Sequence, residues 1–422
     1  MFVKIFQSIK NNKQFQNFSI YGIGQLFNLI TPLLIAPYII KLCGEEGFGK
    51  AGIGLSFAFI LTVLVDFASG INGVKEISVN RNQPEIVQSI ATTLFSIKLI
   101  SLLVVLLISS ILIFSLSFLY QEKELFFLSL IILVSQALNP TWFLQGIEKF
   151  KVISVITISG KILYIIMVLL LISKSKDYIF VNFYFGLSAI IANSFCLYWL
   201  VKRKHLVITH PNKREIISTF KRDYKLTFSQ LLLSLQQYSP ILLVGYFGNS
   251  LLAGQYKIIE QIIMIFRTYL QVLFNFIYPR VCYLLAQNTQ NGIRKWLLFN
   301  GANFAIVLIS TFLIFIFSPE ILSYFNVSDQ NNLSFYLKLA SFIPLLFAIN
   351  IPLQQLVLAF NLQKQYVNIT IWISVFLVAS IATTFSLWQL TGIFILLMIT
   401  EAIVVILYLY TLRNKVFKKS IL

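Results

Sequence analysis

The stretch "YKIIEQIIMIFR", residues 256–267, places three charged side chains inside a long apolar segment. Lys257 and Arg267 could bind anions, because ammonium and guanidinium groups hold phosphate and carboxylate oxygens. A charge at the bilayer centre costs at least about 2.5–3.5 kcal/mol, so these groups are expected to face protein or water. On a helix at about 100° per residue, isoleucines take most of one side and polar residues share the other. The polar side holds Lys257, Glu260, Gln261, Arg267, Thr268, Gln271, Asn275 and Tyr278.

Two interpretations of this polar face are open at the level of sequence. Lys257 and Glu260 are three residues apart and can form an ion pair, with Arg267 reaching toward a membrane surface. The charges would then be structural. Alternatively, the polar face forms the wall of a hydrated path across the membrane. We favour the path, because the polar residues continue past the pair for several helical turns.

Other apolar segments carry ionisable residues at depth. Lys161 lies near the middle of its segment, Lys98 lies about a third of the way in, and Asp66 and Glu401 are the remaining deep carboxylates. Deep cations exceed deep anions by one, which predicts a mildly cationic cavity suited to a phosphate or pyrophosphate group. The predicted substrate path comprises Arg267, Lys161, Lys257, Glu260, Gln271, Asn275, Lys98, Gln25 and Asn28. The candidates for binding a coupling ion are Asp66, Glu260 and Glu401.

Residues that usually perform catalysis or bind metals are scarce. Both histidines, His205 and His210, fall in one polar stretch, and the three cysteines are far apart with no CxxC spacing. The sequence also has no DxD, no GxSxG and no glycine-rich phosphate loop. We therefore predict that the protein is not an enzyme and has neither a cofactor nor a metal site.

The composition determines which elements must position these side chains. The chain has 422 residues, of which 58% are hydrophobic and 11% charged, with a mean hydropathy of +0.83. A soluble domain has about 25% charged residues, so an integral membrane protein is expected. Continuous apolar runs without alternation favour helices over strands. The runs fall at roughly 17–42, 48–73, 88–119, 125–145, 152–172, 179–201, 226–247, 252–284, 296–317, 333–360, 366–388 and 391–411.

The positive charge of the chain, +18 overall, indicates its orientation. Lys and Arg accumulate in cytoplasmic loops of membrane proteins, and here most of them fall in the loops that are cytoplasmic when the N-terminus is placed inside. The outer side receives only Lys41, Lys50, Lys123, Lys174 and Lys176. This explanation leaves no need for a nucleic-acid partner. We predict a multi-pass protein of the inner membrane with both termini in the cytoplasm and a retained, cytoplasmic N-terminal extension.

The two halves of the chain look alike. Each half begins with an early Gln, a proline within the helix, a Tyr and then a turn containing glycine, Gly44 to Gly49 and Gly248 to Gly254. The predicted fold is all-α, with about twelve transmembrane helices in two six-helix lobes related by a parallel pseudo-repeat. The predicted boundaries are 1–201 for the first lobe, 202–225 for a basic cytoplasmic loop and 226–422 for the second lobe.

The stretch "NPTWFLQGIEKF", residues 139–150, resembles the N-P-x-W-x-x-Q-G-x-E signature of Wzx-type polysaccharide flippases. Residues 33–52 and 66–81 are also similar to the first-helix and second-helix patterns of that family. The motif positions are Asn139, Pro140, Trp142, Gln145, Gly146 and Glu148. A second explanation of the motif is structural: a helix end at a proline, with a tryptophan as an interfacial anchor.

The resemblance implies membership of the multidrug/oligosaccharidyl-lipid/polysaccharide exporter superfamily, with two lobes around a central V-shaped cavity. It implies flipping of undecaprenyl-diphosphate-linked O-antigen or capsule repeat units by alternating access, coupled to H⁺ or Na⁺. The implied partners are the lipid-linked oligosaccharide, membrane lipids, a polysaccharide polymerase and a chain-length regulator. Three alternatives stay open: a lipid II flippase, a cation-coupled multidrug antiporter, and a membrane polymerase of lipid-linked sugars.

Overall fold

A computed structural model describes residues 13–203, 206–207 and 212–413 of the chain. Within these ranges the side chains of 13–21, 23, 275–276, 279–280 and 286 are not described. His205, His210 and the predicted N-terminal extension therefore lie outside the described residues. The chain divides by its internal contacts into two compact units, Met1–Ser234 and Leu235–Leu422.

The described residues are almost entirely helical, and no strand occurs among them. The helices of the first part of the chain are α1 (Lys13–Asp66), α2 (Val74–Val79), α3 (Pro84–Ser115), α4 (Ser117–Gln121), α5 (Lys123–Ser129), α6 (Ile131–Ala137), α7 (Thr141–Gly146), α8 (Phe150–Leu171) and α9 (Tyr178–Lys202). Those that follow are α10 (Lys213–Phe247), α11 (Ser250–Gln287), α12 (Thr289–Ile316), α13 (Ser318–Tyr324), α14 (Gln330–Ala340), α15 (Ile343–Ala359) and α16 (Gln363–Leu412). Short turns at Ser69–Gly73 and Ser175–Asp177 complete the list.

Eight of the described helical segments are long and apolar enough to cross a membrane. Two of them, α1 and α16, are each divided by one residue with non-helical dihedrals, Gly44 and Gln389. Helices α10 and α11 are also of membrane length but are absent from these eight because they are more polar. Counted with these divisions, the described chain contains twelve membrane-length segments, and the prediction of an all-α, multi-pass membrane protein is confirmed.

The helices break at the glycine turns that the sequence predicts. Gly44 has φ 73°, a left-handed conformation that favours glycine because it has no Cβ. In the second half, α10 ends at Phe247 and α11 begins at Ser250. The side chain of Asn249 accepts the backbone N–H of Leu252 at 2.8 Å and so caps α11.

The second predicted span, 48–73, ends earlier than expected. Helix α1 stops at Asp66, and the next two residues, Phe67 and Ala68, have φ values of 47° and 57°. The Asp66 carboxylate accepts the hydroxyl of Ser69 at 2.8 Å and the backbone N–H of Gly70 at 3.2 Å. A side chain that binds the backbone just beyond it competes with continued helix, and this local competition is invisible to hydropathy.

The segment predicted as a loop over 202–225 is helical from Lys213 onward, which corrects that expectation. This start of α10 belongs to the first unit and packs within it. Asp223 is fully buried and accepts the amide of Asn72 at 2.7 Å, and Arg222 pairs with Glu76. The hydrogen bond from Arg222 to Asp223 raises the pKa of the guanidinium, which keeps it charged at this position. The segment is therefore a docked part of the first unit.

Candidate functional site

A polar cavity of about 350 Å³ lies inside the first unit, enclosed by α1, α6, α7, α8 and α9. The five helices contribute amides and hydroxyls to its wall at positions where a lipid-facing surface would be apolar. Such groups are costly in hydrocarbon and are expected to face protein or a watery space. The polar wall includes Gln25, Asn28, Thr62, Gln136, Asn139, Thr141, Gln145, Thr157, Lys161 and Asn193.

Lys161 is the one charged residue among those that line this cavity. Its ammonium nitrogen lies 4.3 Å from the centroid of the Phe185 ring, which is a cation–π contact. Among the described residues no carboxylate lies within ion-pair distance of it. The structure therefore places Lys161 in one cavity with Gln25 and Asn28.

A buried ion pair lies behind the wall of this cavity. The Lys98 ammonium is fully buried, 3.4 Å from Asp66 and 3.4 Å from the backbone carbonyl of Asn139. Gln136 lines the cavity and also donates to Asp66 at 2.8 Å. Lys98 itself is not exposed to the cavity, although the sequence predicts it in the substrate path, because Asp66 draws it into the protein interior.

The second unit holds a much smaller cavity of about 40 Å³ between α10, α11, α15 and α16. Its charged lining residues are Arg267, Glu260 and Glu401. The guanidinium of Arg267 lies over the Phe347 ring, 5.4 Å from its centroid, and Glu401 accepts a hydrogen bond from Asn350. Arg267 and Glu401 thus share one cavity within one unit.

The three charged residues of the segment 256–267 form one ion pair and one separate cation. Lys257 and Glu260 form the ion pair that their spacing predicts, at 2.6 Å, with both side chains largely buried. The ion pair of the structural interpretation is therefore present, and Glu260 also lines the cavity of the second unit. Gln271 is exposed and contributes to neither cavity, and the side chain of Asn275 lies outside the described residues.

Three of the four deep cations have a carboxylate nearby. Lys98 pairs with Asp66, Lys257 pairs with Glu260, and Arg267 shares its cavity with Glu401. Lys161 alone is left without one among the described residues. The surplus cation that a count of charges predicts is therefore Lys161. Within the described ranges, no three His, Cys, Asp or Glu side chains converge as a metal site would need.

Two residues of the N-P-x-W-x-x-Q-G-x-E motif, at and just before α7, reach the cavity. The side chain of Asn139 accepts the backbone N–H of Thr141 at 3.0 Å, which forms an Asx turn, and Pro140 precedes the helix. Gln145, one turn further, lines the cavity together with Asn139. These two motif residues therefore belong to the cavity wall.

The motif residues Trp142, Gly146 and Glu148 do not line the cavity and make other contacts. Trp142 is only 3% exposed and packs on Phe95 and Phe143, so the interpretation as an interfacial anchor is wrong. A Cβ on Gly146 would lie 2.5 Å from Cγ2 of Ile77, so glycine permits close packing there. Glu148 has φ 58° and pairs with Arg81 at 2.7 Å.

Comparison with known proteins identifies the family. The sequence profile of the family described as "Polysaccharide biosynthesis protein" matches residues 15–283, which is more than half of the chain. The chain belongs to this family. A "Putative O-antigen transporter" of Escherichia coli (strain K12) is 22% identical over 92% of this chain and 94% of that protein. One of Shigella dysenteriae is 21% identical over 63% of this chain, and the match spans 65% of its length.

Solved structures show the fold of this family member. An inward-facing multidrug resistance MATE family transporter of the MOP superfamily matches with a TM-score of 0.74 at 16% identity, over 97% of this chain and 99% of that one. A MOP superfamily transporter from Pyrococcus furiosus matches with a TM-score of 0.62 at 16% identity, over 94% of each chain. The resemblance to a polysaccharide biosynthesis family is confirmed by the family match, and the solved structures show that the chain shares the fold of MOP superfamily transporters. The relatives are named as transporters, which supports the prediction that the chain is not an enzyme.

Sequence reasoning missed several polar residues of the two cavities. Gln136 and Asn193 line the first cavity, and Asn350 donates to Glu401 in the second unit. Asn193 is nearly fully buried and donates to the backbone carbonyl of Ser135 at 2.9 Å. The available signal was an amide side chain inside an apolar run. Like a charged residue there, an amide is expected to face protein or a water-filled space.

Proposed function

We propose that this family member flips undecaprenyl-diphosphate-linked oligosaccharide repeat units of an O-antigen or capsule across the cytoplasmic membrane by alternating access. The observation that carries the proposal is the near full-length similarity to the putative O-antigen transporter of Escherichia coli. The alignment covers 92% of this chain, so the similarity extends through both units and is not confined to one shared segment.

The polar interior of each unit supports this proposal. The head of a lipid-linked oligosaccharide is hydrophilic and cannot cross hydrocarbon unaided, because each polar group that loses water without a new partner costs several kcal/mol. Amides, hydroxyls and charges within membrane-length helices supply such partners. The lipid tail needs none, since it stays in the bilayer.

Among the three carboxylates predicted for ion coupling, we favour Glu401. Asp66 already receives Ser69, Gly70, Gln136 and Lys98, and Glu260 is held by Lys257. Glu401 faces the cavity of the second unit with Arg267 in the same cavity and one amide donor. A bound H⁺ or Na⁺ would change the charge of that cavity and so alter the interaction with Arg267.

We further propose an inner-membrane location with both termini in the cytoplasm, and association with a polysaccharide polymerase and a chain-length regulator. Reporters fused after Lys13 and after Arg413 should read cytoplasmic, and reporters after Glu46 and Asp329 should read periplasmic. A single reporter on the opposite side would mean that one half of the chain has an odd number of membrane spans. This result would contradict the proposed topology.

The test of the function is deletion of the gene in its host. Surface polysaccharide should disappear while lipid-linked repeat units accumulate on the cytoplasmic side of the membrane, and a plasmid copy should reverse both effects. Normal surface polysaccharide in the deletion strain, with a confirmed absence of any second flippase gene, would contradict the proposal.

A cation-coupled multidrug antiporter is the second candidate, and the fold similarity to the MATE transporter favours it. It requires a deep carboxylate, for which Asp66, Glu260 and Glu401 are available. An antiporter would lower the accumulation of cationic dyes in cells that express it, and would leave surface polysaccharide unchanged. The same deletion strain therefore separates the two candidates.

A further inference from the structure

We propose that the cavity of the first unit binds one sugar ring that carries a single carboxylate, and that Lys161 recognises this carboxylate. The inference rests on the proposed function, because it treats the ring as part of the oligosaccharide that the protein transports. It adds the chemical class of that ring and the residue that selects it.

The size of the cavity fits a small ligand. Its volume of about 350 Å³ lies at the lower end of the range of about 300–1,000 Å³ for small-molecule sites. The cavity of the second unit, at about 40 Å³, has room for a few water molecules only. In this structure, the first unit therefore offers the space that a ring requires.

The lining of the cavity matches the hydroxyl groups of a sugar. A hydroxyl both donates and accepts a hydrogen bond, and an Asn or Gln amide presents a donor and an acceptor side by side. Five such amides line the cavity: Gln25, Asn28, Gln136, Asn139 and Gln145. Part of their capacity is used within the protein, since Asn28 donates to Gln25, and Gln136 donates to Asp66 and accepts from Asn139. A sixth, Asn193, uses its NH₂ group on the backbone and has its carbonyl oxygen left as an acceptor. A cationic drug would instead require carboxylates, and the lining has none.

The aromatic part of the lining supplies an apolar surface. Phe59 and Phe185 both face the cavity, with ring centroids 5.9 Å apart in an edge-to-face arrangement. A sugar ring has apolar C–H groups on its faces as well as hydroxyls on its edge. Phenylalanine surface beside amides therefore fits a sugar better than it fits a small inorganic anion.

The charge of the lining points to one negative charge on the ligand. Lys161 is the only cationic side chain among the lining residues, and no carboxylate of the described part of the chain lies within ion-pair distance of it. A diphosphate carries more than one negative charge and is usually held by several cations or by an arginine fork. A single ammonium matches one carboxylate. Its contact with the Phe185 ring holds the ammonium group at the cavity wall.

The experiment is a binding measurement on the full-length protein in lipid nanodiscs, with free glucuronate and free glucose as probes. Glucuronate should bind about tenfold more tightly than glucose, a ratio that corresponds to about 1.4 kcal/mol. Lys161→Met should remove this preference and Lys161→Arg should retain most of it. Lys338→Met is the matched control, since Lys338 also lies over a phenylalanine ring, 5.8 Å from the centroid of Phe315, but lines neither cavity.

Equal binding of the two sugars by the natural protein would overturn the inference, and this comparison does not depend on any variant being folded. A preference that survives in Lys161→Met would also overturn it. Because both probes are free sugars, the result does not depend on transport. If the binding preference is absent and the deletion strain loses surface polysaccharide, the subsite is refuted and the proposed function stands. If the binding preference is present and the deletion strain keeps its surface polysaccharide, the proposed function is refuted and the subsite stands.

Discussion

The cavities of the two units differ in size and in charge balance. The cavity of the first unit has about 350 Å³, an amide-rich wall and Lys161 without a carboxylate nearby. The cavity of the second unit has about 40 Å³ and places Arg267 beside Glu260 and Glu401. Room and uncompensated charge thus occur together in the first unit. In the second unit, the charges are balanced once Lys257, the partner of Glu260, is counted, and the space is nearly filled.

This difference teaches that a charge inside a membrane protein must be judged by its neighbours. Arg267 attracts attention in the sequence because it has no acidic residue one turn away on its own helix. Its neighbour is instead Glu401, on a helix more than a hundred residues further along the chain. Lys161 stands in an ordinary apolar run, yet among the described residues it is the deep cation with no carboxylate within ion-pair distance.

The largest expected effect concerns the ion pair behind the first cavity. Asp66→Ala should reduce stability by about 3–5 kcal/mol, because it leaves the fully buried Lys98 without a counter-charge. The double variant Asp66→Asn with Lys98→Met should recover much of the loss, since no charge is then buried alone. The thermal midpoint in detergent and the amount of protein in the membrane measure both effects.

Lys161→Met is the matched control for that experiment. It removes a lysine from the same unit without breaking an ion pair, so its thermal midpoint should stay close to that of the natural protein. If Asp66→Ala has the same thermal midpoint as the natural protein, the ion pair of Asp66 with Lys98 does not stabilise the fold. The proposed difference between a paired Lys98 and an unpaired Lys161 would then be contradicted.

The next effect tests the charge balance of the second unit. Arg267→Ala should impair polysaccharide export and reduce stability by about 1–3 kcal/mol, because Glu401 then lacks its positive neighbour. Adding Glu401→Gln should restore the amount of protein but not the export. Arg267→Lys should recover part of the export, since an ammonium keeps the charge without the planar fork. Surface polysaccharide and membrane abundance are measured side by side, and normal export from well-inserted Arg267→Ala would contradict this role.

A smaller effect separates the structural part of the motif from its cavity part. Gly146→Ala should cost about 1–3 kcal/mol, because the added methyl group collides with the fully buried side chain of Ile77. Ile77→Ala in the same chain should relieve the collision and restore part of the thermal midpoint. A Gly146→Ala protein that is fully stable but inactive in export would show instead that Gly146 acts in transport.

The smallest effect is expected at the exposed end of the motif. The pair of Arg81 with Glu148 is roughly half exposed, and such pairs contribute about 0–1 kcal/mol. Arg81→Ala should therefore leave the thermal midpoint nearly unchanged. Glu148→Gly should be neutral or slightly stabilising, because Glu148 has a left-handed φ of 58° that glycine adopts without strain. A large loss in either variant would show that this end of the motif does more than terminate a helix.

The parts of this structure that sequence predicts are those that depend on neighbours along the chain. Hydropathy predicts the spans, and the spacing of Lys257 and Glu260 predicts their ion pair, because both are properties of one helix. The glycine at position 44 marks a break for the same local reason. The helical start at Lys213 was missed because buried partners in the first unit, such as Asn72 for Asp223, stabilise a segment that reads as a polar loop.

The partners of the deep charges could not be predicted, because each lies on another helix. Asp66 and Lys98 are on α1 and α3, and Arg267 and Glu401 are on α11 and α16. A sequence shows that four cations face three anions but not which cation is left over. Only the packing of helices assigns the surplus to Lys161.

The most direct test of the account is a flipping measurement with the purified full-length protein in liposomes. The vesicles contain a fluorescent undecaprenyl-diphosphate-linked oligosaccharide with an acidic sugar, and an added enzyme that cannot cross the membrane degrades the exposed fraction. Without protein, only the substrate of the outer leaflet should be degraded. With the protein, the inner pool should become accessible, more slowly for Lys161→Met than for Lys338→Met. An accessible fraction equal to that of protein-free vesicles, from correctly folded protein, would contradict the account.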